Sequence, residues 1–177
     1  MRRFLDRLYA ASGALAAACL AGIAVMMLAQ AAMREAGLLL RGADDIVSWL
    51  CAATAFLALG HTFRRGELVR VGLLIEHLPP GPRRLCALGA LGLTVLFCGY
   101  MAYAATRFVY NSWRFEEVAQ GLIQIPIWIP QLSFVAGAVI LFIAVLDEFV
   151  ALARGGVPAY QAAEDERRAS KDFSETL

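Results

Sequence analysis

The chain has 177 residues and a net charge of +1; 60% of it is hydrophobic and only 18% charged, with a mean hydropathy of +0.62. A soluble domain carries about 45–50% apolar and about 25% charged residues, so an ordinary water-soluble fold is excluded. No nucleic-acid partner is expected. The apolar excess is concentrated in four windows without any charge, residues 8–33, 46–63, 85–106 and 118–146. Each approaches or exceeds the roughly 18–20 residues that cross lipid as a helix.

The expected fold is an all-α integral-membrane domain over residues 1–153, with spans at about 9–33, 45–63, 85–107 and 122–150. A polar cytoplasmic tail, 154–177, follows. Twelve of the sixteen Lys and Arg residues lie in the N-terminal segment, the 64–84 loop and the C-terminal tail, and four lie in the other two loops. Basic loops stay in the cytoplasm, which places both termini and the middle loop there. An even number of spans requires the same.

In chain order, the first apolar run has the look of a secretion signal, but it continues past Cys19 to Met33, beyond a 7–15-residue signal core. An uncleaved helix is expected. Ala10, Ala14, Ala18 and Gly22 form a smooth stripe suited to close helix packing, and Gln30 is read as an interfacial hydrogen-bonder. Asp44 and Asp45 precede the second span, where carboxylates meet unpaired backbone N–H groups. Its uncharged stretch, Ile46–Phe63, would rise about 27 Å as helix.

Beyond it, LVRVGLLIEHL (68–78) is too short to cross lipid again and too apolar for a free loop. Leu68, Val71, Leu74, Ile75 and Leu78 fall in a helical stripe about 120° wide. An amphipathic helix lying in the membrane surface is expected there. Pro79-Pro80-Gly81-Pro82 then stops it. The third span carries Gly92 and Gly99 as a second smooth face. Tyr110, Trp113 and Phe115 follow, rings favoured at a membrane interface. Pro126 and Pro130, each lacking a backbone donor, predict a bent or irregular entry to the fourth span, which carries a Ser133/Gly137 face.

Candidate chemistry is sparse. Cys19, Cys51, Cys86 and Cys98 lie in apolar windows without a C-x-x-C pair, and read as small apolar filler. His61 and His77 are badly placed for a haem-ligating pair inside the bilayer. Glu116 and Glu117, adjacent on a helix, point about 100° apart and have no reactive companion. No metal, cofactor or catalytic site is expected.

Two stretches resemble the small membrane (Q) subunit of tripartite ATP-independent periplasmic transporters. The first is Arg64-Arg65-Gly66-Glu67 with Val69-Arg70-Val71, Leu73-Leu74 and Leu78-Pro79. The second is Ser112-Trp113 with Glu116, then Ile125-Pro126, Trp128, Pro130 and Gly137. Where the family usually shows His and Asp, this chain has Leu68 and Gly72. The resemblance implies a scaffold subunit in the bacterial inner membrane. Its partners would be a large sodium-coupled membrane subunit, a periplasmic solute-binding protein that delivers an organic acid, and membrane lipids. The candidate subunit-interface or membrane-surface residues are Arg64, Arg65, Glu67, Arg70, Val71, Leu74, Leu78, Gly92, Gly99, Trp113, Glu116, Pro126, Trp128, Pro130 and Gly137. The alternative is a stand-alone four-helix transporter acting as a homo-oligomer. It would be expected to need a membrane-embedded carboxylate, and the first three windows have none.

Overall fold

A computed structural model describes residues 2–64 and 80–155. It contains four α-helices: α1 (Arg2–Glu35), α2 (Ala43–Arg64), α3 (Pro80–Arg114) and α4 (Trp128–Ala153). All four are long and apolar enough to cross a membrane, and the described residues hold no β-strand beyond one isolated bridge, Val118–Pro126. The surface helix expected over 68–78 lies outside the described residues.

Helix lengths differ in an informative way. At 1.5 Å per residue, α2 and α4 rise about 33 and 39 Å, near the thickness of bilayer hydrocarbon. By the same rule α1 and α3 rise about 50 Å, so they must tilt or project beyond it. The α3 helix runs on through FVYNSWR to Arg114, past the expected end near 107. The α4 helix starts at Trp128, six residues later than expected. Residues 115–127 form a tight hairpin instead, in which Ala119 N–H donates to Ile125 O (2.9 Å) and Ile127 N–H to Glu117 O (3.0 Å). The two prolines explain the late start. Pro126 cannot donate into a helical ladder, and Pro130 sits in the first turn of α4, where no donor is needed.

Three helices end in the same way. In α1 the amide of Leu38 reaches back to Met33 O (2.8 Å) and that of Gly37 to Arg34 O, with Gly37 at φ +75°. The end of α4 uses Gly155, at φ +82°, against Leu152 O. Glycine suits this left-handed capping position because it has no Cβ to clash. In α3 the same two bonds form, Glu117 to Ser112 O and Glu116 to Trp113 O, but the left-handed residue is Glu116, at φ +50°.

The packing is an open row. The α1 helix packs on α2, α2 on α4 and α4 on α3, while α1 touches α4 only slightly. A closed bundle would bring α1 against α3. Here those two form the outer members, with Leu15, Leu20 and Leu28 of α1 and Leu93, Leu96 and Phe97 of α3 exposed. The main core lies towards the end where α1 and α3 begin. Tyr9, Phe63, Leu91, Cys98, Val145 and Leu152 are buried there. A smaller cluster of Ala16, Ala53 and Leu57 joins α1 to α2.

Candidate interaction surfaces

Lipid gives apolar helices no hydrophobic reason to associate, so close approach and polar links must hold them. At the α2–α4 crossing both are present. Gly137 lies against the Phe56 backbone, so close that a Cβ would overlap the Phe56 carbonyl. Gly60 returns the favour, since a Cβ there would come within 2.6 Å of Ile140 Cγ2. The Phe56 and Phe134 rings meet edge to face with centroids 4.4 Å apart, a favourable aromatic geometry. The seam between α3 and α4 is softer. Gly99 accepts the Phe142 ring, 3.1 Å from where a Cβ would stand, and Gly92 faces Phe149 at an ordinary 3.5 Å. Gly92, Gly99 and Gly137, among the candidate subunit-interface or membrane-surface residues, here make contacts within the chain.

The end where α1 and α3 begin holds a charged junction. Arg64, at the close of α2, bridges Asp6 of α1 (2.6 Å) and Asp147 of α4 (3.2 Å), and its guanidinium lies 5.2 Å from the centre of the Tyr9 ring. Glu148 beside it is buried. Two further links tie α1 to α2. Ser12 Oγ donates to Leu57 O at 2.5 Å, and His61 Nδ1 donates to Tyr9 O at 3.1 Å. Gly13 makes room for that imidazole, because a Cβ would come within 2.8 Å of His61 Cγ. On α3, Arg84 reaches the last carbonyls of α4, Leu152 and Ala153 O, at 3.4 Å each.

At the opposite end the acidic pair does not cap its own helix through the side chains. The Asp45 carboxylate accepts from Leu122 N–H (2.8 Å) and Ile123 N–H (3.1 Å), fastening the hairpin to α2. Gly121 lies against that carboxylate with no space for a Cβ. Asp44 accepts from Gln30 Nε2 at 3.1 Å, joining α1 to α2 as expected of Gln30.

The alanine stripe of α1 is a different case. Ala10, Ala14 and Ala18 are exposed, and the face turned to α2 is Tyr9, Ser12 and Ala16. The hydroxyl and the Gly13 notch bind α2 better than bare alanines, which have nothing to offer its carbonyls. Around the hairpin, Trp113, Glu116, Pro126 and Trp128 gather at one cleft, while Pro130 O accepts from Ser133 Oγ at 2.7 Å. Arg65, Glu67, Arg70, Val71, Leu74 and Leu78 lie outside the described residues. Among the described residues no group of three His, Cys, Asp or Glu side chains is placed to hold a metal.

An open row of four spans with its charges at the two ends fits a part of a larger membrane assembly. The family model described as Tripartite ATP-independent periplasmic transporters, DctQ component, matches residues 23–155, three quarters of the chain. The chain belongs to this DctQ family. It is thereby a small membrane component of a transporter, of a family not generally enzymatic. No curated protein matches it closely enough to narrow the solute. The match begins within α1, so Asp6, Tyr9 and Ser12 contribute their contacts from outside the matched region.

Proposed function

We propose that this chain is the scaffold of a tripartite transporter, supporting a larger sodium-coupled membrane subunit that imports an organic acid delivered by a periplasmic binding protein. The observation that carries the reading is the open row itself. The inner helices α2 and α4 are locked together, while α1 and α3 keep long apolar outer faces without a partner among the described residues. The exposed Ala10, Ala14 and Ala18 stripe offers one of those faces a close helix contact. The charges at the ends of the described spans support the same reading. Arg64 pairs with both Asp6 and Asp147, and Asp45 is occupied by backbone N–H groups. The windows 8–33, 46–63, 85–106 and 118–146 hold no charge, whereas ion paths are usually marked by intramembrane charge.

The excess of basic residues supports cytoplasmic termini and a periplasmic hairpin. Residues 68–78 are proposed as a helix lying in the membrane surface, with Leu74 and Leu78 facing lipid or the larger subunit. Reconstitution tests the whole reading. The purified chain alone, in vesicles under a sodium or proton gradient, should take up no solute; uptake should appear only with the large subunit and binding protein added. Gradient-driven uptake by the chain alone would sink the scaffold role and establish the stand-alone homo-oligomer instead.

A further inference from the structure

Two hollows meet at the hairpin end of the α3–α4 seam. One is a groove of about 320 Å³ between the helices, walled by Val109, Tyr110, Leu132 and Val135, and almost wholly apolar. The other is an open cleft of about 570 Å³ beside the hairpin, whose lining includes Arg114, Glu116, Val118 and Pro126. Trp113 and Trp128 line both, so their rings stand where the apolar groove passes into the charged cleft. The groove extends from Trp113 down to Thr106, seven residues and roughly 10 Å of helix rise. The result is an amphiphile-shaped space: a greasy slot directed into the bilayer, a tryptophan collar, and a charged mouth. Tryptophan collars of this kind belong at the level of lipid headgroups.

The charges narrow the ligand. Arg114 and Glu116 are both exposed, and neither makes a salt bridge or side-chain hydrogen bond among the described residues. A guanidinium is shaped for bidentate binding of a phosphate. A carboxylate in the same cleft accepts from an ammonium. The backbone at Glu116 adds an independent argument. It holds the left-handed capping position that Gly37 and Gly155 hold in α1 and α4, at φ +50°. Glycine would serve that backbone with less strain, so the side chain is what a glycine could not supply.

We propose that this site binds one phosphatidylethanolamine molecule. An acyl chain fills the α3–α4 groove, the phosphate sits on Arg114, and the ammonium donates to Glu116. Phosphatidylcholine has the phosphate but no N–H to donate, and phosphatidylglycerol has no cation. The site therefore separates three lipids of equal chain length. The proposal needs only this chain and does not depend on the scaffold role.

Tryptophan fluorescence reads it directly. The chain has three tryptophans, and replacing Trp49 of α2 by Phe leaves only Trp113 and Trp128 as emitters. The full-length W49F chain is placed in nanodiscs of phosphatidylcholine containing a small fraction of lipid brominated on one acyl chain. Brominated phosphatidylethanolamine should quench well above its mole fraction, brominated phosphatidylcholine only in proportion to it, and phosphatidylglycerol should fall between them. Arg114→Gln and Glu116→Gln should each weaken the excess about tenfold, the loss of one charge-assisted hydrogen bond. Both sites are exposed, and an unchanged melting temperature in each variant verifies the fold. Quenching in proportion to mole fraction for all three lipids overturns the proposal, as does an excess that survives both substitutions. Loss of the excess when the large subunit is added also overturns it, making that subunit the occupant of the groove.

Discussion

The two seams of α4 are built on different physical principles. Against α2 it presents Gly137 to a backbone carbonyl, so the helices are as close as their main chains permit. Both ends of that seam are clasped, by Arg64–Asp147 at one end and by Asp45 on the hairpin amides at the other. Against α3 it presents the Phe142 and Phe149 rings to Gly99 and Gly92, with the long contacts of Arg84 at the end. Backbone cannot step aside, whereas a ring can rotate. The first seam should behave as a rigid spine and the second as a joint that tolerates change. The α1 helix is tied to the spine by Asp6, Ser12 and His61, and α3 is left as the more adaptable outer helix.

The sharpest way to break the spine is Gly137→Leu. Overpacking a well-filled contact costs about 1–3 kcal/mol, and more when the obstacle is main chain, so about 3 kcal/mol or more is expected here. Thermal unfolding in detergent should show the loss, and a variant as stable as the parent would remove the distinction between the seams. Arg64→Ala comes next. It strands Asp6 and Asp147 at a partly buried junction, where the loss of one partner should cost on the order of 2 kcal/mol, between the exposed and fully buried limits. A double-mutant cycle with Asp147→Asn should return a coupling of about 1 kcal/mol or more.

A smaller effect is expected at the hairpin clasp. Asp45→Ala leaves two amides without their acceptor and should cost about 1–2 kcal/mol, while Asp45→Asn, which keeps one carbonyl oxygen, should cost less. Hydrogen exchange at Leu122 and Ile123 should quicken in that order. Unchanged protection at both amides would show that the clasp does not hold the hairpin. On the soft seam, Gly99→Ala should cost at most about 1 kcal/mol, because the Phe142 ring need move only slightly. Gly92→Ala should fall within about 0.5 kcal/mol of the parent, since its Cβ meets Phe149 at ordinary contact. A melting shift at Gly92 larger than that at Gly137 would reverse the comparison.

Charge-free windows and the distribution of arginines were enough to reveal four membrane helices, because crossing lipid demands length and apolarity that no other fold shares. Family membership was also readable, from the Arg64-Arg65-Gly66-Glu67 and Ser112-Trp113 stretches. The small residues were visible as faces, but not what they face. Gly92, Gly99 and Gly137 turned inward to their own chain and the α1 alanines outward, since any smooth stripe suits any close neighbour. Likewise Asp45 looked like a cap for its own helix, yet its carboxylate meets a loop 77 residues away. Arg64 found both of its carboxylates on other helices. Local pattern determines which segments are helical and which enter lipid. The row order α1, α2, α4, α3 and every pairing across it arise only when the helices pack, because the partners are joined by space and not by sequence spacing.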